Sequence, residues 1–126
     1  MRRIGLLVSL LLLAACAAQP RPKQLDVFFT LGSAKLTPEG QQVVDTIVAM
    51  IRDTKPSSIV IEGEADGSLP KDARLADQRA TAVAGALKAA GVDQSKIAQR
   101  SALAFPAQTD SATRISTHKV AVQLVP

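Results

Sequence analysis

Ser58-Ile59-Val60-Ile61-Glu62-Gly63 is the stretch that decides the fold. Three consecutive β-branched residues closed by a glycine read as a strand. An Ile-Val-Ile run without polar alternation implies that both faces are covered, as in parallel pairing around a helix. The residues before it supply that helix. Thr37-Pro38-Glu39 combines an N-cap, a proline at the first helical position and an acid in the first turn. Val43, Val44, Ile47, Val48 and Ile51 then recur at helical spacing as a buried stripe, and the helix ends before Pro56. Further back, Leu25-Asp26-Val27-Phe28-Phe29-Thr30 reads as another strand, apolar and aromatic and followed by a Gly32-Ser33 turn. Strand, helix and strand make a βαβ unit.

Beyond Gly63 a polar loop leads into an alanine-rich stretch from Pro70 to Ala90, which Gly91 closes as a second helix. Lys96 to Ala104 is a weaker strand candidate. His118 to Val125 alternates Val120, Val122 and Leu124 against Lys119, Ala121 and Gln123, the pattern of a half-buried strand. The expected order is β-α-β-α-β, a long loop, then β.

The second helix carries an anomaly. Leu75, Ala76, Ala82, Val83, Ala86, Leu87 and Ala90 fall on one side at helical spacing, and Arg79 lies at the centre of that side. A buried guanidinium without a partner costs several kcal/mol, so this position demands an acid or an anionic ligand. Asp72 lies two turns back on the same face, and Asp66 follows the second strand closely. One arrangement is an internal ion pair of Arg79 with Asp66 or Asp72 that fixes the helix to the sheet. The other is a small pocket that offers a cation and a carboxylate together, suited to a zwitterion such as an amino-acid end. The two differ in whether Arg79 faces solvent.

At the other extreme of the chain, Arg2-Arg3, an apolar run from Ile4 to Leu13, and Leu13-Ala14-Ala15-Cys16 have the parts of a secretory signal peptide over residues 1–15. The run is shorter than the roughly 20 residues needed to span a bilayer. The small residues end at the only cysteine, in a pattern that looks like a bacterial lipobox. Cleavage before Cys16 leaves a thiol and an amine to be acylated, and two or more acyl chains hold a protein firmly where one does not. Ala17 stands where an aspartate often retains such lipoproteins at the inner membrane, so the outer membrane, periplasmic side, is the expected location. Residues 16–24, from the lipidated cysteine through a polar, proline-containing tether, reach roughly 30 Å when extended. A single domain occupies 25–126.

Removing the signal leaves 111 of 126 residues, enough for one domain with a modest core. The net charge falls from +4 to +2 when Arg2 and Arg3 leave. No basic tract points to nucleic acid. With Cys16 modified there is no thiol for a disulfide or a metal. The only histidine, His118, is expected to face solvent on the last strand, and no acid has a matching base or metal set, so no enzyme, cofactor or metal site is expected.

These residues together resemble the OmpA-like peptidoglycan-binding domain family, of the peptidoglycan-associated lipoprotein type, from about Val27 to Leu124. Val27-Phe28-Phe29 and Leu36-Thr37-Pro38 look like the family's opening strand and helix start. Ile61-Glu62-Gly63-Glu64-Ala65-Asp66 stands where the family has Gly-His-Thr-Asp, Leu75-Ala76-Asp77-Gln78-Arg79-Ala80 where it has Leu-Ser, two variable residues and Arg-Ala, and Gly91-Val92 closes the helix likewise. The resemblance implies an α/β (α+β) sandwich: a mixed four-stranded sheet in the order of elements given above, with two main helices packed on it. It also implies that Asp66 and Arg79 bind the ammonium and carboxylate of diaminopimelate in peptidoglycan, with Ala65, Asp72 and Lys119 as further ligand-binding positions. The sequence departs from the pattern in ways that make the pocket more acidic. Glu64 and Ala65 replace the histidine and threonine, Asp72 an asparagine, and Thr117-His118-Lys119-Val120 the family's Asn-Arg-Arg-Val. The implied partners are peptidoglycan, the outer membrane through the lipid, and envelope or secretion-system proteins. The alternative is a lipoprotein scaffold subunit of a secretion or conjugation machine that keeps the fold without wall binding, with Phe105-Pro106 and the loop to Ile115 as a docking surface.

Overall fold

The computed structural model describes residues 20–64, 70–100 and 118–126. Strand β1 (Lys23–Phe28) leads to helix α1 (Pro38–Thr54), strand β2 (Ser58–Gly63) and helix α2 (Pro70–Ala89). A 3-10 turn (Gln94–Lys96), strand β3 (Ile97–Arg100) and strand β4 (Lys119–Val125) complete the described elements. They form a mixed four-stranded sheet in the order β1-β4-β2-β3, an α+β architecture.

The expected pairing of the first βαβ unit needs correction. β1 and β2 are not neighbours, because β4 lies between them and runs antiparallel to both. The adjacent parallel pair is β2 with β3, connected through α2. The reason lies in β4, whose Val120, Val122 and Leu124 match both flanks. Val122 pairs with Leu25 on one side and Ile61 on the other, and Leu124 pairs with Ile59. Val120, Val122 and Leu124 are buried with Val27, Ile59 and Ile61 in one cluster. The unbroken Ile-Val-Ile run reflects this central position, Val60 being 7% exposed on the opposite face.

Local chemistry sets the helix ends as expected. The Thr37 hydroxyl accepts from the Gly40 N–H at 3.0 Å, with Pro38 and Glu39 in the first turn. Lys55 turns the chain out of α1 in the left-handed region, φ 46°. Gly91, φ 90°, closes α2 with paired bonds from Gly91 N–H to Lys88 O and from Val92 N–H to Leu87 O, and Val92 packs on the core. The α1 stripe is buried at Val44, Ile47 and Val48 and half-buried at Val43 and Ile51.

On α2 the buried residues are Ala76, Arg79, Ala80, Val83, Ala84 and Leu87. The face is turned from the expected one: Ala82 and Ala86 are half-buried and Ala90 is exposed. Small residues at 76, 80 and 84 let the helix lie low on the sheet. β1 begins and ends two residues earlier than the apolar run, because its ladder extends to Lys23 opposite Leu124. β3 spans four residues, and 101–104 lie outside the described residues. His118 precedes β4 and is half-buried rather than solvent-facing, its carbonyl accepting from Phe29 N–H at 2.8 Å.

Candidate functional site

Arg79 is the largest fully buried side chain among the described residues, 1% exposed. α2 brings it over the end of β1, where its Nε donates to Ser33 O at 2.8 Å and its Nη2 to Thr30 O at 3.2 Å. Its guanidinium carbon lies 5.7 Å from the centroid of the Phe29 ring. The cation therefore binds the turn between β1 and α1, and two of its five N–H donors go to main-chain carbonyls there. Of the two arrangements open to the sequence, the structure has Arg79 buried. Backbone carbonyls of Thr30 and Ser33 are among its partners. Sequence reading missed these acceptors, because every residue has a carbonyl and none marks which will point inward.

The approach of α2 to the sheet depends on Gly63. A Cβ at this position would lie 2.2 Å from Ala76 O and 2.8 Å from Ala76 C, so the strand end and the helix backbone are in direct contact. Gly63 thus determines how close the end of β2 comes to the helix that carries Arg79.

Asp72 is half-buried in the first turn of α2. Ala65 and Asp66 fall in 65–69, and Cys16 in 1–19, outside the described residues, as do Phe105 to Ile115. Lys119 is not brought together with Arg79. Side chains alternate along β4, and Val120, Val122 and Leu124 enter the core under the helices, so Lys119 projects from the opposite face of the sheet. There its ammonium meets Asp26 Oδ2 at 3.1 Å and Glu64 Oε1 at 3.7 Å. The outward phase of Asp26 and Lys119 in their strands was a readable signal for this pair; Glu64, beyond the end of β2, was not.

The electrostatics of this trio are uneven. Burial disfavours the Lys119 ammonium, but Asp26 and Glu64 together outweigh it and raise its pKa. Glu64 is also raised above its ordinary value, mainly because burial disfavours its charge and further because Asp26 and Glu62 repel it, with Lys119 only partly compensating. Asp26 holds the shorter bond, so Glu64 is the surplus carboxylate on one ammonium. A raised carboxyl pKa means that its stabilising contribution is complete below the unfolded value, near pH 4, and is lost as pH rises through the folded value. Glu64→Gln is therefore expected to raise stability at pH 7, by less than about 1 kcal/mol because solvent screens the site. The gain should vanish toward about pH 4. Thermal melts of both proteins across pH check this, and a lower melting temperature for the variant at pH 7 would refute it.

Among the described residues no group of three His, Cys, Asp or Glu could hold a metal ion. No described helix is long and apolar enough to cross a membrane.

A mixed sheet ordered β1-β4-β2-β3, two helices, and an arginine buried against the turn after β1 define a small α+β domain. Residues 28–121 match the OmpA family, and the chain belongs to that family. It is 37% identical over 79 residues to Outer membrane protein A of Klebsiella aerogenes, a match covering 60% of this chain and 23% of that protein. The chain thus spans under a quarter of that relative's length. Among solved structures, the peptidoglycan-associated lipoprotein from Burkholderia pseudomallei superposes with TM-score 0.65 at 20% identity, covering 77% of this chain and 86% of that one. The cell wall anchor of the T6SS from Pseudomonas aeruginosa superposes with TM-score 0.64 at 22% identity, covering 81% and 80%.

Proposed function

We propose that the protein is an outer-membrane lipoprotein whose domain binds peptidoglycan non-covalently through diaminopimelate, tethering the membrane or an envelope complex to the wall. The observation that carries this reading is membership of the OmpA family over residues 28–121. Arg79 and Asp66 stand at the positions of the family's carboxylate-binding arginine and motif aspartate. In this reading Asp66 holds the ligand ammonium, Arg79 its carboxylate, and Asp72 and Ala65 border them. The protein is a binding module without chemistry of its own. Residues 1–15 are removed, Cys16 carries the lipid, and the tether runs from 16 to 22, because Lys23 and Gln24 belong to β1.

Co-sedimentation with purified sacculi tests the reading. The chain from residue 22 onward is expected to pellet, and Asp66→Ala to lower its affinity at least about tenfold, the effect of losing one charge-assisted bond. An Asp66→Ala variant that pellets like its parent removes the ligand assignment. A parent that stays in the supernatant removes wall binding altogether. That second result leaves the scaffold subunit, a reading favoured by Glu64 and Ala65 in place of the family's histidine and threonine.

A further inference from the structure

The end of the sheet remote from Arg79 has a character of its own. β1 and β2 begin there and β4 finishes there, with Lys23 opposite Leu124 and Ser58 opposite Val125. α1 ends there at Thr54, and α2 ends there too, since Arg52 Nη2 reaches Ala90 O at 3.5 Å and Lys96 Nζ reaches Pro56 O at 3.4 Å. Arg21, Lys23, Arg52, Lys55, Lys88 and Lys96 all gather at this end, and every one is exposed. The acids in the same segments are Asp53 and Asp93, and Asp93 is engaged by the Ser95 N–H and hydroxyl. Between the N-terminal segment and the strand ends lies a largely apolar recess of about 210 Å³, lined by Pro20, Arg21, Lys23, Pro56 and Leu124 among others.

We infer that this basic end is a docking face for an anionic lipid surface, so that the domain rests on the membrane that anchors it, with the opposite end of the sheet, under which Arg79 is buried, turned away from it. The inference rests on the proposed lipidation of Cys16. That residue lies four positions before Pro20, so its lipid is held within about 14 Å of the face. That distance is comparable to the screening length of about 8–10 Å at physiological salt, so the tether itself keeps the cations within the field of charged headgroups. Six cations from four parts of the chain against two side-chain carboxylates supply the complementary charge, and the apolar recess can accept the upper part of an acyl chain.

The test uses the full chain with Cys16→Ser, beside the same chain carrying Arg52→Gln, Lys55→Gln and Lys96→Gln, both checked for equal melting temperature. The leader is common to both, so their ratio isolates the basic end. Partitioning is measured on vesicles of phosphatidylcholine with about 30% phosphatidylglycerol, and on pure phosphatidylcholine. Each cation near such a surface is worth roughly fivefold, so the triple variant is expected to partition at least tenfold more weakly on anionic vesicles. The difference should disappear on neutral vesicles and at ~0.5 M salt. Equal partitioning on anionic vesicles overturns the inference. So does weaker binding of the triple variant to sacculi with vesicle binding unchanged, a result that assigns the cations to wall carboxylates. The native protein's mass reads acylation of Cys16 separately, so failure of the anchor and failure of the face give different results.

Discussion

Gly63→Ala is expected to destabilise the domain by about 3 kcal/mol or more, at the upper end for overpacking. The added Cβ would meet the backbone oxygen and carbon of Ala76 at 2.2 and 2.8 Å, and no rotamer change can relieve a clash between two main chains. Either α2 lifts, opening the packing of Ala76, Ala80 and Val83, or the end of β2 leaves β4 at the Gly63–Val120 pair. Domains of this size are stable by only about 5–15 kcal/mol, so urea titration should show a large fall in midpoint. Gly85 provides the contrast. A Cβ there meets nothing within 4 Å, on an exposed helical face, and Gly85→Ala should stabilise by about 0.5–1 kcal/mol. A Gly63→Ala midpoint equal to the parent's would show that helix and strand can separate without cost.

Arg79→Ala is expected to cost about 3–5 kcal/mol, for reasons that add at one site. It empties the volume of the largest fully buried described side chain and removes the guanidinium bonds to the carbonyls of Ser33 and Thr30, the latter keeping its bond from the Ser33 N–H. Arg79→Met tests the division between the two. It keeps most of the volume but donates nothing, so it should remain at least about 1–3 kcal/mol below the parent. Thermal and urea melts of the three proteins read this directly. A methionine variant as stable as the parent would mean that the carbonyl bonds contribute nothing net. The same argument makes Asp66, not Arg79, the clean position for a binding test, since an unfolded Arg79 variant fails on sacculi for the wrong reason.

Much of this was legible in the residues. Thr37-Pro38-Glu39, Pro56 and Gly91 mark helix ends because capping chemistry is local. Arg79 stood out because a charge on an apolar stripe is costly wherever the fold goes. Strand order was not legible from β2 itself: a buried strand is apolar on both faces whether its neighbours are parallel or antiparallel, and the deciding match of Val122 to both Leu25 and Ile61 spans nearly the whole chain. The rotation of the α2 face was hidden by its alanines, which fit in a core or at a surface. The carbonyl partners of Arg79 were invisible because main-chain acceptors leave no mark in the side-chain code, and Lys119 was drawn toward the ligand by motif position although its strand phase turns it away.

The central place of β4 governs how the molecule is made. The strand that separates β1 from β2 is the last in chain order, and β1 has no other described strand to pair with. Such sequence-distant pairing is slow to form. A chain made from its N-terminus therefore has an incomplete sheet until β4 is available, and only then can β1 join the other described strands.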